Sequence, residues 1–180
     1  MGICQTKNIK IQPIVTYSIA NIKPTINLNW GIRAQIFALL LLRHSYIDPQ
    51  FHMSHMSNIE FNSFDDNNLN LLSYAILGNK IDIASRLIDK ISYDIINLRH
   101  KDFGTTSLWY ACNLNHESLA LRILDKTSIN NLQMPNNKYH MSPYLNESIL
   151  PLYQAKNNNM HRVIYAIEKR LNGGIVFDLI

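Results

Sequence analysis

The chain has 180 residues, 17 Lys and Arg against 13 Asp and Glu, a net charge of +4 and a pI near 9.1, enough for one domain with a real core, or one domain and an arm. The basic residues are scattered, with only Lys169 and Arg170 adjacent, which argues against nucleic acid as a partner. Two cysteines are too few for a disulfide scaffold and point to a reducing compartment, and the longest apolar run, Ile36 to Leu42, is far short of the roughly 20 residues of a membrane span.

The first six residues, Met1-Gly2-Ile3-Cys4-Gln5-Thr6, fit the N-myristoylation pattern, with Gly2 as acceptor and Thr6 at the required position. Cys4 is placed to take a palmitate. One myristate holds a membrane only marginally, so the second chain would make peripheral attachment stable. No cleavage region marks a secretory signal. Residues 1–30 read as an arm of low order, broken by Pro13 and Pro24. Residues 31–65 read as a capping helix and a linker. Ala34, Phe37, Ala38, Leu41 and Leu42 recur at helical steps, which predicts a helix over Ile32–Tyr46, ended by Pro49. From Gln50 to Asp66 the chain is rich in turn formers. His52 and His55 lie three apart with His44 nearby, but no third or fourth ligand stands at metal-binding spacing.

A phrase then occurs three times. It reads Leu72-Ser73-Tyr74-Ala75 followed by Asn79 through Lys90. It returns as Leu108-Trp109-Tyr110-Ala111 followed by Asn115 through Lys126. The third copy is Leu152-Tyr153-Gln154-Ala155 followed by Asn159 through Lys169. The alanines lie 36 and 44 residues apart. Each copy predicts a short helix, a tight turn and a second helix. Leu72, Ala75 and Ile76, then Ile83, Ala84, Leu87 and Ile88, line the inner faces of the first copy. Their counterparts are Leu108, Ala111, Cys112, Leu119, Ala120, Ile123 and Leu124 in the second, and Leu152, Ala155, Val163, Ile164, Ile167 and Leu171 in the third. The small alanine lets two helices approach closely. Asn79, Asn115 and Asn159 occupy a turn position that demands positive φ, which Asn tolerates better than any residue but Gly.

Over residues 66–172 the unit resembles an ankyrin repeat. The hallmark stands as Thr106-Ser107-Leu108-Trp109-Tyr110-Ala111 after Asp102-Phe103-Gly104, as Leu150-Pro151-Leu152-Tyr153-Gln154-Ala155, and as Asn70-Leu71-Leu72-Ser73-Tyr74-Ala75. The family histidine, which tethers neighbouring loops, is absent: Ser73, Trp109 and Tyr153 take its place. The resemblance implies an all-α fold, a short ankyrin-repeat solenoid of helix-turn-helix units, with the N-terminal capping helix and the poorly ordered arm before it. It also implies a non-enzymatic adaptor that binds a protein partner through loop tips and the concave ends of the first helices. By register the binding residues are Asp102, Phe103 and Thr105 at a tip, and Leu77, Gly78, Asn113, Leu114, Asn157 and Asn158 at the helix ends. Extra residues before the third unit, between Ser128 and Leu150, form a loop with two tyrosines and two methionines, and Tyr139 joins the candidates.

Cys112 has His116 four residues later, a thiol–imidazole spacing, yet it falls on a core position of the repeat, where thiols are inert. No cofactor, metal or small-molecule substrate is expected. Gly173-Gly174 reads as a helix stop, and the apolar tail within 173–180 as a cap over the last helix. Degenerate repeats, the Asn and Ile bias and the lipidation signal together resemble ankyrin proteins that intracellular bacteria or large viruses direct at host proteins, which places the chain in the cytoplasm, that of a host included. The alternative is that residues 1–60 form a separate module, a ubiquitin-ligase adaptor or enzyme fragment, with the repeats as its targeting domain.

Overall fold

The computed structural model describes residues 31–43, 48–133 and 150–173, and among these the chain is all-α. The helices are α1 (Ile32–Leu42), α2 (Pro49–Ser54), α3 (Asn58–Phe61), α4 (Leu71–Leu77), α5 (Ile81–Ile88), α6 (Tyr93–Ile96), α7 (Ser107–Asn113), α8 (Glu117–Asp125), α9 (Ile129–Leu132), α10 (Pro151–Asn157) and α11 (His161–Leu171). One isolated bridge joins Phe64 to Asn70.

Three helix pairs repeat one construction. The Asn70 side chain accepts from the Ser73 N–H and starts α4, and the Thr106 hydroxyl accepts from the Trp109 N–H and starts α7. Pro151 occupies the first turn of α10, where its missing N–H costs nothing. Each first helix ends at an asparagine of positive φ: 55° at Asn79, 60° at Asn115 and 54° at Asn159. The next residue then donates back to the aligned alanine: Lys80 to Ala75 at 2.8 Å, His116 to Ala111 at 2.9 Å, Met160 to Ala155 at 2.9 Å. Asn79, Asn115 and Asn159 themselves donate to Ile76, Cys112 and Lys156. These paired bonds make the Schellman termination, which requires a left-handed residue at that point. The second helices α5, α8 and α11 follow at once.

The pairs stack. First helices pack in a row, α1 on α4, α4 on α7 and α7 on α10, while α5 packs on α8 and α8 on α11. One core cluster runs through the stack from Ala34 to Ile167. At roughly 1.5–3 kcal/mol for each large apolar side chain removed from water, buried Phe37, Leu41, Leu72, Ile76, Leu87, Leu108 and Ile123 supply the main driving force.

Two expectations change. The segment from Gln50 onward, expected as a linker, contains α2 and α3. Pro49, expected to end the preceding helix, instead opens α2, whose first N–H groups at Gln50 and Phe51 are capped by Asp48 at 3.0 and 3.2 Å. The preceding helix stops at Leu42, with Arg43 extended. Secondly, each full turn of the construction carries a third short helix. α3, α6 and α9 each follow a serine (Ser57, Ser92, Ser128) and each bury one large apolar residue: Phe61, Ile96 and Leu132.

These short helices are clasped to one another. The Asn62 side-chain Oδ1 accepts from the Ser92 N–H at 2.6 Å, and the Asn97 Oδ1 accepts from the Ser128 N–H at 2.6 Å. The Asn97 amide also donates to Tyr93 and Lys126 carbonyls at 2.8 Å. A second latch uses basic side chains at the ends of the second helices. Lys126 donates to the Ile88 carbonyl at 2.6 Å, and Arg170 donates to the carbonyls of Leu124 and Thr127. Each binds carbonyls at or just beyond the end of the preceding unit's second helix.

Candidate functional site

The loop between the first and second pairs folds into a tight tip. His100 donates to the Thr105 carbonyl and Gly104 donates to the His100 carbonyl, both at 2.8 Å, with Gly104 at φ 67°. The preceding loop closes in a similar way but is one residue shorter: Asp65 donates to Leu69 and Asn68 to Asp65, each at 3.0 Å, with Asn68 at φ 64°. The two loops are joined by Lys101 N–H to the Asn67 carbonyl at 3.1 Å and by the Asn68 amide to the Arg99 carbonyl at 3.0 Å.

A buried polar layer fixes the tip from below. Asp65 is buried, and its carboxylate accepts from the Asn67 and Leu69 N–H groups and from the Tyr74 hydroxyl at 2.8 Å. Burial, and then the Asp65 charge, pushes the Tyr74 phenol well above its ordinary range. One unit on, the Thr105 hydroxyl donates to the Tyr110 hydroxyl at 3.0 Å. The buried His100 ring accepts at Nδ1 from the Asp102 N–H at 3.2 Å, and Phe103 lies against that ring at 4.7 Å. Burial holds the His100 imidazole below its ordinary value, opposed by the charges of Asp102 and Asp65. In the core the Ser73 and Ser107 hydroxyls meet at 3.0 Å, and buried Trp109 packs edge-on to Tyr110.

Asp102 is exposed and Phe103 half-buried. Asn113 and Leu114 are half-exposed at the end of α7, and Asn157 is exposed at the end of α10. Four candidates turn inward instead. Thr105 is only 2 % exposed and Leu77 only 4 %; the first serves the tip and the second the core. A Cβ on Gly78 would stand 1.9 Å from the Leu41 carbonyl oxygen, so this glycine admits α1 rather than a partner. Asn158 donates to the carbonyls of Cys112 at 2.7 Å and Asn113 at 3.1 Å, which caps α7 from the next unit. Along α7 every residue from Ser107 to Cys112 is buried, so its accessible surface lies at its C-terminal end, at Asn113. Exposed Asp66, Lys101 and Tyr153 add to this surface and were not legible as contacts, because charged and aromatic loop residues carry no periodic signal. Gly2, Cys4 and Tyr139 lie outside the described residues, as do the insertion from residue 134 to 149 and the tail from residue 174.

The thiol–imidazole pair has no reactive geometry. Cys112 is fully buried, and burial pushes its thiol up to about 12. His116, half-exposed before α8, is held low by burial. His52 stacks on Phe37 at 5.3 Å, and His55 bonds through Nδ1 to the Phe51 carbonyl at 2.7 Å. Among the described residues no three His, Cys, Asp or Glu side chains gather as for a metal, and no helix is long and apolar enough to cross a membrane. The chain matches no protein-family model, no curated protein and no solved structure.

Proposed function

We propose that the chain is a short ankyrin-type solenoid acting as a non-enzymatic adaptor. It binds a protein partner through the tip at Asp102 and Phe103 and the helix ends at Asn113, Leu114 and Asn157. The observation that carries this reading is the rigid tip: its backbone is closed on itself, tied to the neighbouring loop and supported by a buried polar layer. Such preorganisation lowers the entropic cost of association, and Phe103 is the aromatic anchor that interfaces favour. In this reading the N-terminal residues set location, with Gly2 and Cys4 lipidated in a eukaryotic cytoplasm, and the partner is a host protein. The continuous core from Ala34 onward favours the adaptor over a separate module within residues 1–60.

Affinity capture from eukaryotic cytosol tests the reading, comparing the full chain with Phe103→Ala and with Asp82→Ala, an exposed control on α5. Proteins retained by the control and lost by Phe103→Ala support it; identical capture by both refutes the tip. Incorporation of a labelled myristate analogue that Gly2→Ala abolishes supports the address, and none in the unaltered chain removes it.

A further inference from the structure

Apart from Arg33 and Gln35 the helix α1 is apolar. Ala34, Phe37, Ala38 and Leu41 are buried against the stack, yet Ile32, Ile36 and Leu39 on the other side are 74, 48 and 42 % exposed. Beside them Phe51 of α2 is 59 % exposed. Exposed apolar residues grouped in this way mark a binding surface. Between α1 and α2 runs a groove of about 260 Å³, lined by Arg33, Ile36, Phe51, His52, His55 and Met56. It is smaller than the roughly 300–1,000 Å³ of small-molecule sites, and suits one or two apolar side chains of a peptide.

The chain itself carries such a peptide. Residues 1–30 hold seven isoleucines and only three charged residues, all lysine, a composition too apolar for a solvated segment. Just before α1 the sequence alternates strictly: Ile22, Pro24, Ile26, Leu28 and Trp30 are apolar, and Lys23, Thr25, Asn27 and Asn29 are polar. An extended chain with this period has one apolar face. Reversing near Gly31, five or six extended residues cover the roughly 16 Å of the eleven-residue α1. Arg33 uses one N–H on the His55 carbonyl at 2.7 Å, and its guanidinium has further donors for carbonyls of an extended strand. A tethered segment also outcompetes free ligands through its high effective concentration.

We propose that residues 22–30 bind in extended form along the exposed face of α1, with Ile26 and Leu28 seated in the groove between α1 and α2. The apolar face of α1 is thereby closed from within the chain.

The test places the photo-crosslinker p-benzoylphenylalanine at position 51 of the full chain. After irradiation at low micromolar concentration, digestion and mass spectrometry locate the links. The expected result is links to residues 22–30 in a product of monomer mass, reduced at least about five-fold by Ile26→Asp with Leu28→Asp at unchanged helical circular dichroism. A product of twice the mass would show that a second copy covers the groove and overturn the proposal. Links confined to residues outside 22–30, or a yield indifferent to the two aspartates, would overturn it equally.

Discussion

At the scale of single residues, asparagine does most of the specifying, and it does so in two ways. At positions 79, 115 and 159 the backbone is left-handed, a conformation that costs an ordinary L-residue about 1–2 kcal/mol. Asn115→Ala is therefore expected to destabilise the chain by about that amount, while Asn115→Gly keeps the turn; urea unfolding of the two variants checks it. This role was legible in the sequence, because a turn of fixed register filled only by Asn has few physical explanations. The side-chain clasps of Asn62, Asn97 and Asn158 were not, since the same residue type also decorates solvated loops. The buried His100 makes a separate prediction. Its imidazole is held below the ordinary value of 6.5 in the fold, so between the two values the unfolded chain binds the extra proton. Stability is then highest above about pH 7, falls as pH drops through 6.5 and levels off below the folded value. His116 shifts in the same direction. His100→Gln should flatten the urea midpoint between pH 7.5 and 5 relative to the unaltered chain.

At the scale of elements, helices of seven to eleven residues were legible and those of four were not. The faces of α5, α8 and α11 repeat at helical steps in the sequence and are buried as that spacing requires. α3, α6 and α9 have four residues each, which is one turn and too short for any period to emerge. Their recurring serine and buried apolar residue become visible only when the stack aligns them. The misplacement of Leu77 and Gly78 on a binding surface has the same origin: the sequence gives no sign that α1 crosses there. Gly78→Ala tests that crossing. Its φ of −80° is ordinary for any residue, so the added methyl acts only through its collision with the Leu41 carbonyl. A loss of about 1–3 kcal/mol is expected for such overpacking, with faster amide exchange concentrated in Phe37–Leu41.

At the scale of the whole molecule, stacking turns local regularity into a surface. Each unit caps a helix end of the unit before it, through Lys126, Asn158 and Arg170, so the tip and helix ends keep fixed positions relative to the core. In the proposed adaptor, the filled body of α7 leaves the tip and the C-terminal helix end for contact. Hydrogen exchange of the full chain, with and without a captured protein partner, tests this most directly. New protection is expected at residues 101–105, 113–115 and 157–159, with α5, α8 and α11 unchanged. Protection confined to the exposed faces of those second helices would contradict it.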